Sequence, residues 1–285
     1  MPSPDGPAST PSRVAGPDDP DGFAALTGKI VAEYGFRCGS YKERCLRRRI
    51  AVRMRARGVH TYTDYIRVLD ADPREHERLL DALTINVTKL FRNPDTYHAL
   101  ARHVVPAVLG ATASELRVWS AGCSSGEEPY SLAALFHAEA EASGRGDQLA
   151  RLRILGSDID RASLAAAELG EFAEAAFDEA PPELRRRYFT PGQPARALPE
   201  LRRLVAFERR DLLRDPPPAG PFHLVVCRNV LIYFDRDSQE RLFSAFAEAL
   251  VPGGFLVLGK VESLLGEARA GFTVVDARER IFRRR

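Results

Sequence analysis

Val118-Trp119-Ser120-Ala121-Gly122-Cys123-Ser124-Ser125-Gly126-Glu127-Glu128-Pro129 is the stretch whose reading decides the fold. The apolar run Leu116 to Trp119 reads as a buried strand, the small residues after it as a turn, and Pro129 through Phe136 as a helix. A strand-to-helix turn of Gly, Ala and Ser lets the backbone approach a ligand, with amides and a helix N-terminus as donors. A pyrophosphate would want that end free of carboxylates, yet Glu127 and Glu128 stand there. Two acids suit a cationic or hydroxyl-rich ligand. That points to a sulfonium nucleoside, S-adenosylmethionine, rather than NAD or ATP.

Downstream, strands and helices alternate. Leu152 to Gly156, Leu204 to Phe207, Phe222 to Cys227 and Phe255 to Leu258 read as strands, with helices at Arg161 to Leu169 and Ser238 to Leu250. Phe272 to Val275 and Arg280 to Phe282 suit a terminal antiparallel pair. Such alternation predicts a doubly wound, mainly parallel α/β sheet, with its ligand outside the carboxyl ends of the strands. Asp158 then lies where an acid takes ribose hydroxyls, while Asp160 is the better cap for the helix that follows. Cys227-Arg228-Asn229-Val230-Leu231-Ile232-Tyr233-Phe234 follows a strand and falls at the same crevice. Tyr233 and Phe234 read either as crevice residues or as packing under the next helix.

Upstream, Met1 to about Pro20 is rich in Pro, Ser, Gly and Asp and has little to bury. Gly22 to about Leu90 is helical in pattern throughout, and Pro94 opens a further helix to about Val108. One helix, Tyr41 to Arg57, holds Lys42, Arg44, Arg47, Arg48, Arg49, Arg53, Arg55 and Arg57 against Glu43 alone. At 100° per residue Lys42, Arg49, Arg53 and Arg57 line one stripe, and Arg44, Arg48 and Arg55 another. This is either a solvated face or a surface for an acidic partner. Between the two halves, Thr84 to Pro94 carries Asn86, Thr88 and Arg92 among apolar residues. Folded over the crevice, it would roof the ligand and bring Arg92 to an anion.

Composition bounds the rest. The 285 residues allow one large domain or two modest ones, and 45% hydrophobic residues suffice for a core. A net charge of +2 does not argue for nucleic acid. Cys38, Cys45, Cys123 and Cys227 form no CxxC pair, which reads as reduced cytoplasmic thiols. No apolar run approaches the ~20 residues of a membrane span. The six histidines lack HxxxH or HExxH spacing, so no metal is expected.

Taken together, these motifs closely resemble the CheR family of chemotaxis receptor glutamate methyltransferases, from about Phe23 to Phe282. The order is specific: Arg-Arg-Arg-Ile-x-x-Arg-Met, Asn-Val-Thr…Phe-Arg, Gly-Cys-Ser-Ser-Gly-Glu-Glu-Pro-Tyr-Ser, Asp-Ile-Asp, then Cys-Arg-Asn-Val-x-Ile-Tyr-Phe. The resemblance implies a class I S-adenosylmethionine-dependent methyltransferase fold, with an N-terminal all-helical domain and a small antiparallel β-subdomain. Residues 1–20 read from their composition as a disordered tail, and the resemblance implies a receptor-docking domain over 21–83, a linker or lid over 84–98 and a methyltransferase domain over 99–285. The β-subdomain would lie at about 171–207. The cofactor would be held by Asn86, Thr88, Arg92, Gly122, Glu128, Asp158, Asp211, Leu212, Arg228 and Asn229. Arg92 and Tyr233 would stand nearest the transferring methyl. Arg44, Arg48, Arg49, Arg53, Arg55 and Arg57 would dock the receptor's helical bundle. The chain departs from the usual pattern at Gly259-Lys260-Val261-Glu262 (usually Gly-His-Ser-Glu), at Leu90-Phe91-Arg92 and at Thr84-Ile85-Asn86.

The implied reaction turns receptor glutamates into 5-O-methyl esters, leaving S-adenosylhomocysteine. A carboxylate is already ionised at neutral pH, which explains the lack of a His/Asp constellation. The expected protein is a cytoplasmic monomer. The alternative is a non-catalytic S-adenosylmethionine-binding adaptor that docks a signalling partner through the basic helix.

Overall fold

A computed structural model describes residues 19–83 and 88–285 of the chain, which divides into two units, Met1–Thr84 and Ile85–Arg285. In the first unit Asp19 caps α1 (Pro20–Tyr34) by accepting from the Asp21 amide, and Gly35 ends it at φ 67°. Then come α2 (Glu43–Ala56), α3 (Tyr62–Ala71) and α4 (Pro73–Leu83). Leu46, Ile50 and Met54 recur every four residues along α2 and face a core with Leu26, Ile30, Tyr65, Leu69 and Leu79.

The basic helix is divided between inside and outside. Arg49 donates to the Ala82 carbonyl at 2.7 Å, and Arg53 grips both oxygens of Glu75 at 2.9 and 2.8 Å. Arg57 pairs with Asp72 at 3.2 Å. Glu75 has no exposed surface and also accepts from Tyr65 Oη at 2.8 Å. Burial pushes its carboxyl up, but the Arg53 and Tyr65 hydrogen bonds and the nearby guanidinium charges leave it below the ordinary range. Arg49, Arg53 and Arg57, expected to dock a partner, thus tie α2 to α4 and the turn before it. Arg44, Arg48 and Arg55, the other stripe, are exposed.

The second unit begins with α5 (Pro94–His103) and α6 (Val105–Leu109), followed by β1 (Leu116–Ala121) and α7 (Glu127–Ala142). The single helix expected from Pro94 to Val108 is therefore two. Pro106, with no N–H to donate, sits in the first turn of α6. Next are β2 (Leu152–Asp158), α8 (Arg161–Leu169), β3 (Glu171–Phe172), α9 (Pro182–Tyr188), β4 (Ala195–Arg196), α10 (Pro199–Arg202) and β5 (Val205–Arg209). The chain closes with β6 (Phe222–Cys227), α11 (Arg236–Ala249), β7 (Leu250–Leu258), β8 (Phe272–Asp276) and β9 (Ile281–Arg284).

The sheet order is β5-β2-β1-β6-β7-β9-β8. β5, β2, β1, β6 and β7 are parallel, and the terminal hairpin joins β7 antiparallel. Chain order runs outward from β1 in both directions, so the switch point lies between β1 and β6. That is where such a sheet opens a crevice at its carboxyl edge. Two strands differ from expectation. β7 starts at Leu250 rather than Phe255, because Pro252-Gly253-Gly254 is absorbed as an irregularity in the pairing with β6. Val205–Arg209 belongs to the main sheet, while the small antiparallel sheet is β3 with β4, extended by a bridge from Phe189 to Ala197. No helix among the described residues is long and apolar enough to cross a membrane.

Candidate active site

The turn after β1 is shaped by contacts on both sides. Gly122 sits at φ 81°, and a Cβ there would come 2.5 Å from Val230 Cγ2. At Gly126, with φ 93°, a Cβ would come 2.8 Å from Ala167 Cβ. The turn's amides do not wait for a ligand, as the sequence suggested. Gly122 and Cys123 both donate to the Ser157 carbonyl, at 2.8 and 2.9 Å, and Ser124 donates to Asp158 Oδ2 at 2.8 Å. The end of β2 therefore fixes the turn. Asp158 Oδ1 accepts from the Asp160 amide at 3.0 Å, and Asp160 caps α8. Burial raises the Asp158 carboxyl above its usual range despite these amide donors.

At the switch point lies a small, polar cleft. It is lined by Thr88, Lys89, Arg92, Tyr97, Gly122, Cys123, Ser124, Glu128, Arg228, Asn229 and Val230. Glu128, in the first turn of α7, accepts from Ser120 Oγ at 2.7 Å and faces Arg228 Nη1 at 3.4 Å. Burial pushes its carboxyl up, while the charges of Arg228 and Arg92 pull it partly back. Arg228, only 7% exposed, also donates Nη2 to the Arg92 carbonyl at 2.8 Å and to Asn93 Oδ1 at 3.0 Å. Its Nε is buried without a hydrogen-bond partner. Glu127 points elsewhere: Ser125 Oγ donates to it at 2.8 Å.

The segment carrying Arg92 is pinned by its backbone. The Leu90 amide donates to the Ala176 carbonyl at 2.9 Å, and the Asn93 amide to Glu179 Oε2 at 2.7 Å. The Phe91 amide donates to Ser131 Oγ at 2.8 Å, whose hydroxyl in turn donates to the Glu127 carbonyl at 2.6 Å. Phe91 and Asn93 hold the left-handed conformation, at φ 55° and 63°, as does Asn229 at φ 61° on the opposite rim. Non-glycine residues in that region cluster where surroundings over-determine the backbone, commonly at active sites.

Of the residues expected at the site, the fold brings Thr88, Arg92, Gly122, Glu128, Arg228 and Asn229 around this one cleft. Asn86 lies outside the described residues. Asp158, Asp211, Leu212 and Tyr233 are not among the lining residues. Asp158 ends β2 opposite Arg209 of β5, Asp211 lies two residues beyond β5, and Asp211 Oδ1 accepts from the Leu213 amide at 2.9 Å. Tyr233 ends the 3-10 turn Leu231–Tyr233, just beyond Asn229 and Val230. Sequence reasoning missed Lys89, Tyr97, Cys123, Ser124 and Val230 as cleft walls. The apolar stripe of α5 gave Tyr97 away only as core, and Val230 is visible only through its contact with Gly122.

Gly122-Cys123-Ser124-Ser125-Gly126 also has the G-x-S-x-G spacing of a serine-hydrolase elbow, and Ser124 is left-handed at φ 50°. A nucleophilic serine needs a base within hydrogen-bond reach, and no histidine lines the cleft among the described residues. The Cys123 thiol is pushed well up by burial and neighbouring carboxylates, which keeps it protonated and unreactive. What the cleft offers is a buried acid, Glu128, for a cation, and the arginines Arg92 and Arg228 in its lining for an acceptor. That donor set fits S-adenosylmethionine, whose sulfonium is cationic and whose amino-acid end carries a carboxylate.

Comparison with known proteins agrees. The family profile described as the CheR methyltransferase SAM binding domain matches residues 86–281, and that of the CheR methyltransferase all-alpha domain matches residues 21–84. A chemotaxis protein methyltransferase of Listeria innocua is 34% identical over 261 residues, covering 91% of this chain and 97% of that protein. Chemotaxis protein methyltransferase 2 of Pseudomonas aeruginosa is 32% identical over 275 residues, 91% of this chain and 94% of its own. A 104.1 kDa protein of Rhodobacter capsulatus is 38% identical over 245 residues; the match spans 85% of this chain but only 25% of that longer protein. With both domain profiles matched in order and the cleft at the switch point of its sheet, the chain belongs to the CheR methyltransferase family and binds S-adenosylmethionine.

Proposed function

We propose that this protein transfers a methyl group from S-adenosylmethionine to glutamate side-chain carboxylates of a chemotaxis receptor, giving glutamate 5-O-methyl ester and S-adenosylhomocysteine. The observation that carries this reading is the convergence of Thr88, Arg92, Glu128, Arg228 and Asn229 on a cleft where, among the described residues, no histidine is present to serve as a general base. A γ-carboxylate with an ordinary pKa of ~4.3 is ionised at neutral pH and needs none. When bound, S-adenosylmethionine supplies an electrophilic methyl group. The chain's own residues then have to hold, orient and desolvate. Glu128 faces the cationic end, Arg228 Nε offers its proton to an acceptor, and Asn229 with Thr88 closes the sides. Asn86, Asp158, Asp211 and Leu212 complete the nucleoside end in this reading. Arg92 orients the incoming carboxylate, and Tyr233 hydrogen-bonds its remaining lone pair.

The substrate is a methyl-accepting receptor or a related helical-bundle signalling protein. Residues 21–83 dock it, residues 84–98 serve as lid, and residues 99–285 hold the reaction in the cytoplasm, with the protein acting as a monomer. Docking falls to Arg44, Arg48 and Arg55, since Arg49, Arg53 and Arg57 are engaged within their own unit. Each ester removes one negative charge from the receptor.

The test is transfer of radiolabelled methyl from S-adenosylmethionine to a receptor cytoplasmic fragment by the full chain. Base-labile label is expected, and Arg92→Ala should abolish it. A protein that binds S-adenosylmethionine yet esterifies no carboxylate of co-encoded receptors would instead be a cofactor-binding adaptor.

A further inference from the structure

Glu262 stands apart from every residue assigned so far. It is 4% exposed, and the hydrogen bonds it accepts come from the main chain. Its Oε2 takes the Gly259 amide at 2.6 Å and the Asn229 amide at 3.1 Å, its Oε1 takes the Ile232 amide at 3.3 Å, and the Leu231 amide also donates to the carboxylate. The Glu262 amide itself closes the turn on the Gly259 carbonyl at 2.9 Å. Gly259 leaves no room for a side chain, since a Cβ would stand 2.7 Å from Glu262 Oε2 and 2.9 Å from the Asn229 amide. A carboxylate accepting several amides makes charge-assisted bonds, about twice as strong as neutral ones.

The two oxygens act on different parts of the rim. Asn229 lines the cleft and is held left-handed at φ 61°, a conformation that costs free energy without support. Ile232 lies in the short turn that ends at Tyr233. We propose that Glu262 is a positioning residue with a divided duty: Oε2 fixes Asn229 and so the cofactor wall, and Oε1 fixes the turn that carries Tyr233. The assignment rests on the roles proposed above for Asn229 and Tyr233. It concerns a residue that touches neither cofactor nor substrate.

The division makes a separable test. In Glu262→Gln one oxygen remains, and it should take the side with the shortest donor, the Gly259 amide, keeping Gly259 and Asn229 in place. Its amide nitrogen then faces the Ile232 N–H, and that bond is lost. For the full chain, the expected result is a calorimetric Kd for S-adenosylmethionine within about twofold of wild type, with kcat toward a receptor fragment down about tenfold. In Glu262→Ala both supports go, so Kd should rise about tenfold as well. Tyr233→Phe should lose most of its effect in the Glu262→Gln background, a coupling that general loosening would not produce. The proposal is overturned if Glu262→Gln weakens cofactor binding as much as Glu262→Ala, or if it leaves kcat unchanged. It is likewise overturned if Tyr233→Phe costs the same in both backgrounds. Should Glu262→Ala fail to fold, the near-isosteric glutamine variant still decides through its kcat and its coupling to Tyr233. A wild type that binds cofactor but labels no receptor defeats the functional reading instead, and the Kd contrast between the variants then decides the cofactor half alone.

Discussion

Replacing Gly122 by alanine tests how the cleft is built. Two costs are written into the structure. At φ 81° an alanine is held in left-handed backbone, which costs about 1–2 kcal/mol. Its Cβ would also stand 2.5, 3.3 and 3.4 Å from Val230 Cγ2, Cγ1 and Cβ, overpacking worth about 1–3 kcal/mol. Gly122→Ala should therefore destabilise the protein by about 2–5 kcal/mol. The clash depends on Val230, so removing its methyls should remove that part only. In Gly122→Ala/Val230→Ala the backbone cost remains and the overpacking goes, giving a coupling of about 1–3 kcal/mol between the two sites. Urea unfolding of all four proteins of the cycle measures this, provided the m-values agree. Calorimetric titration with S-adenosylmethionine follows the cleft in parallel, and binding lost in the single variant should return in part with Val230→Ala. Strictly additive destabilisation would refute the claim that Val230 and Gly122 define one wall.

The buried Glu75 supports a second prediction. Glu75→Ala leaves Arg53 without its carboxylate, and breaking such a pair should cost about 3 kcal/mol in urea unfolding, near the lower end because Arg53 keeps 19% of its side chain exposed. Since the folded-state pKa of Glu75 is lowered, its stabilisation is present above the ordinary carboxyl range and lost as pH falls through the folded value. Glu75→Gln should accordingly flatten the acid limb of the stability curve. Glu128 and Asp158 have the opposite sign. Burial raises both, so they take up protons before exposed acids do, and the apo protein gives up that stabilisation as pH rises through their raised values. If their ionised forms serve the cationic cofactor, its Kd should climb as pH falls through their raised values, and Glu128→Gln should flatten that climb. Finally, charge reversal at Arg44, Arg48 and Arg55 should cut receptor labelling about tenfold or more while leaving cofactor affinity within twofold. A matching loss of cofactor affinity would place those residues elsewhere in the mechanism.

The α/β architecture was legible because its signals are periodic and local. Apolar runs at Leu116, Phe222 and Phe255 marked strands, and Asp160 capped the helix it precedes, whereas the helix expected from Ser238 starts at Arg236 under an Asp235 cap. The family motifs marked the cleft residues Thr88, Arg92, Glu128, Arg228 and Asn229 before any coordinates. What escaped the sequence is what depends on long-range partners. Periodicity divided the basic helix into two stripes but could not say that one of them meets Glu75 and Asp72. A Gly-rich turn looks like a set of waiting amides until Ser157 and Asp158 are seen to take them. Val230 and Glu262 are distant in sequence from the turns they support. Their importance lies in a Cβ that Gly122 lacks and in the backbone amides that converge on Glu262.

The split of the basic helix also sets how the protein should respond to salt. Read from sequence, eight cations against one acid would suggest a strongly electrolyte-sensitive encounter with an acidic partner. With Arg47 on Glu43, Arg53 on Glu75 and Arg57 on Asp72, much of that field closes within the unit over a few ångströms. Mobile ions at physiological strength screen beyond about 8 Å and act chiefly on the charges left facing outward. Receptor association should therefore weaken with ionic strength as a contact of about three arginines would, and the internal lattice around Glu75 should be nearly indifferent to it.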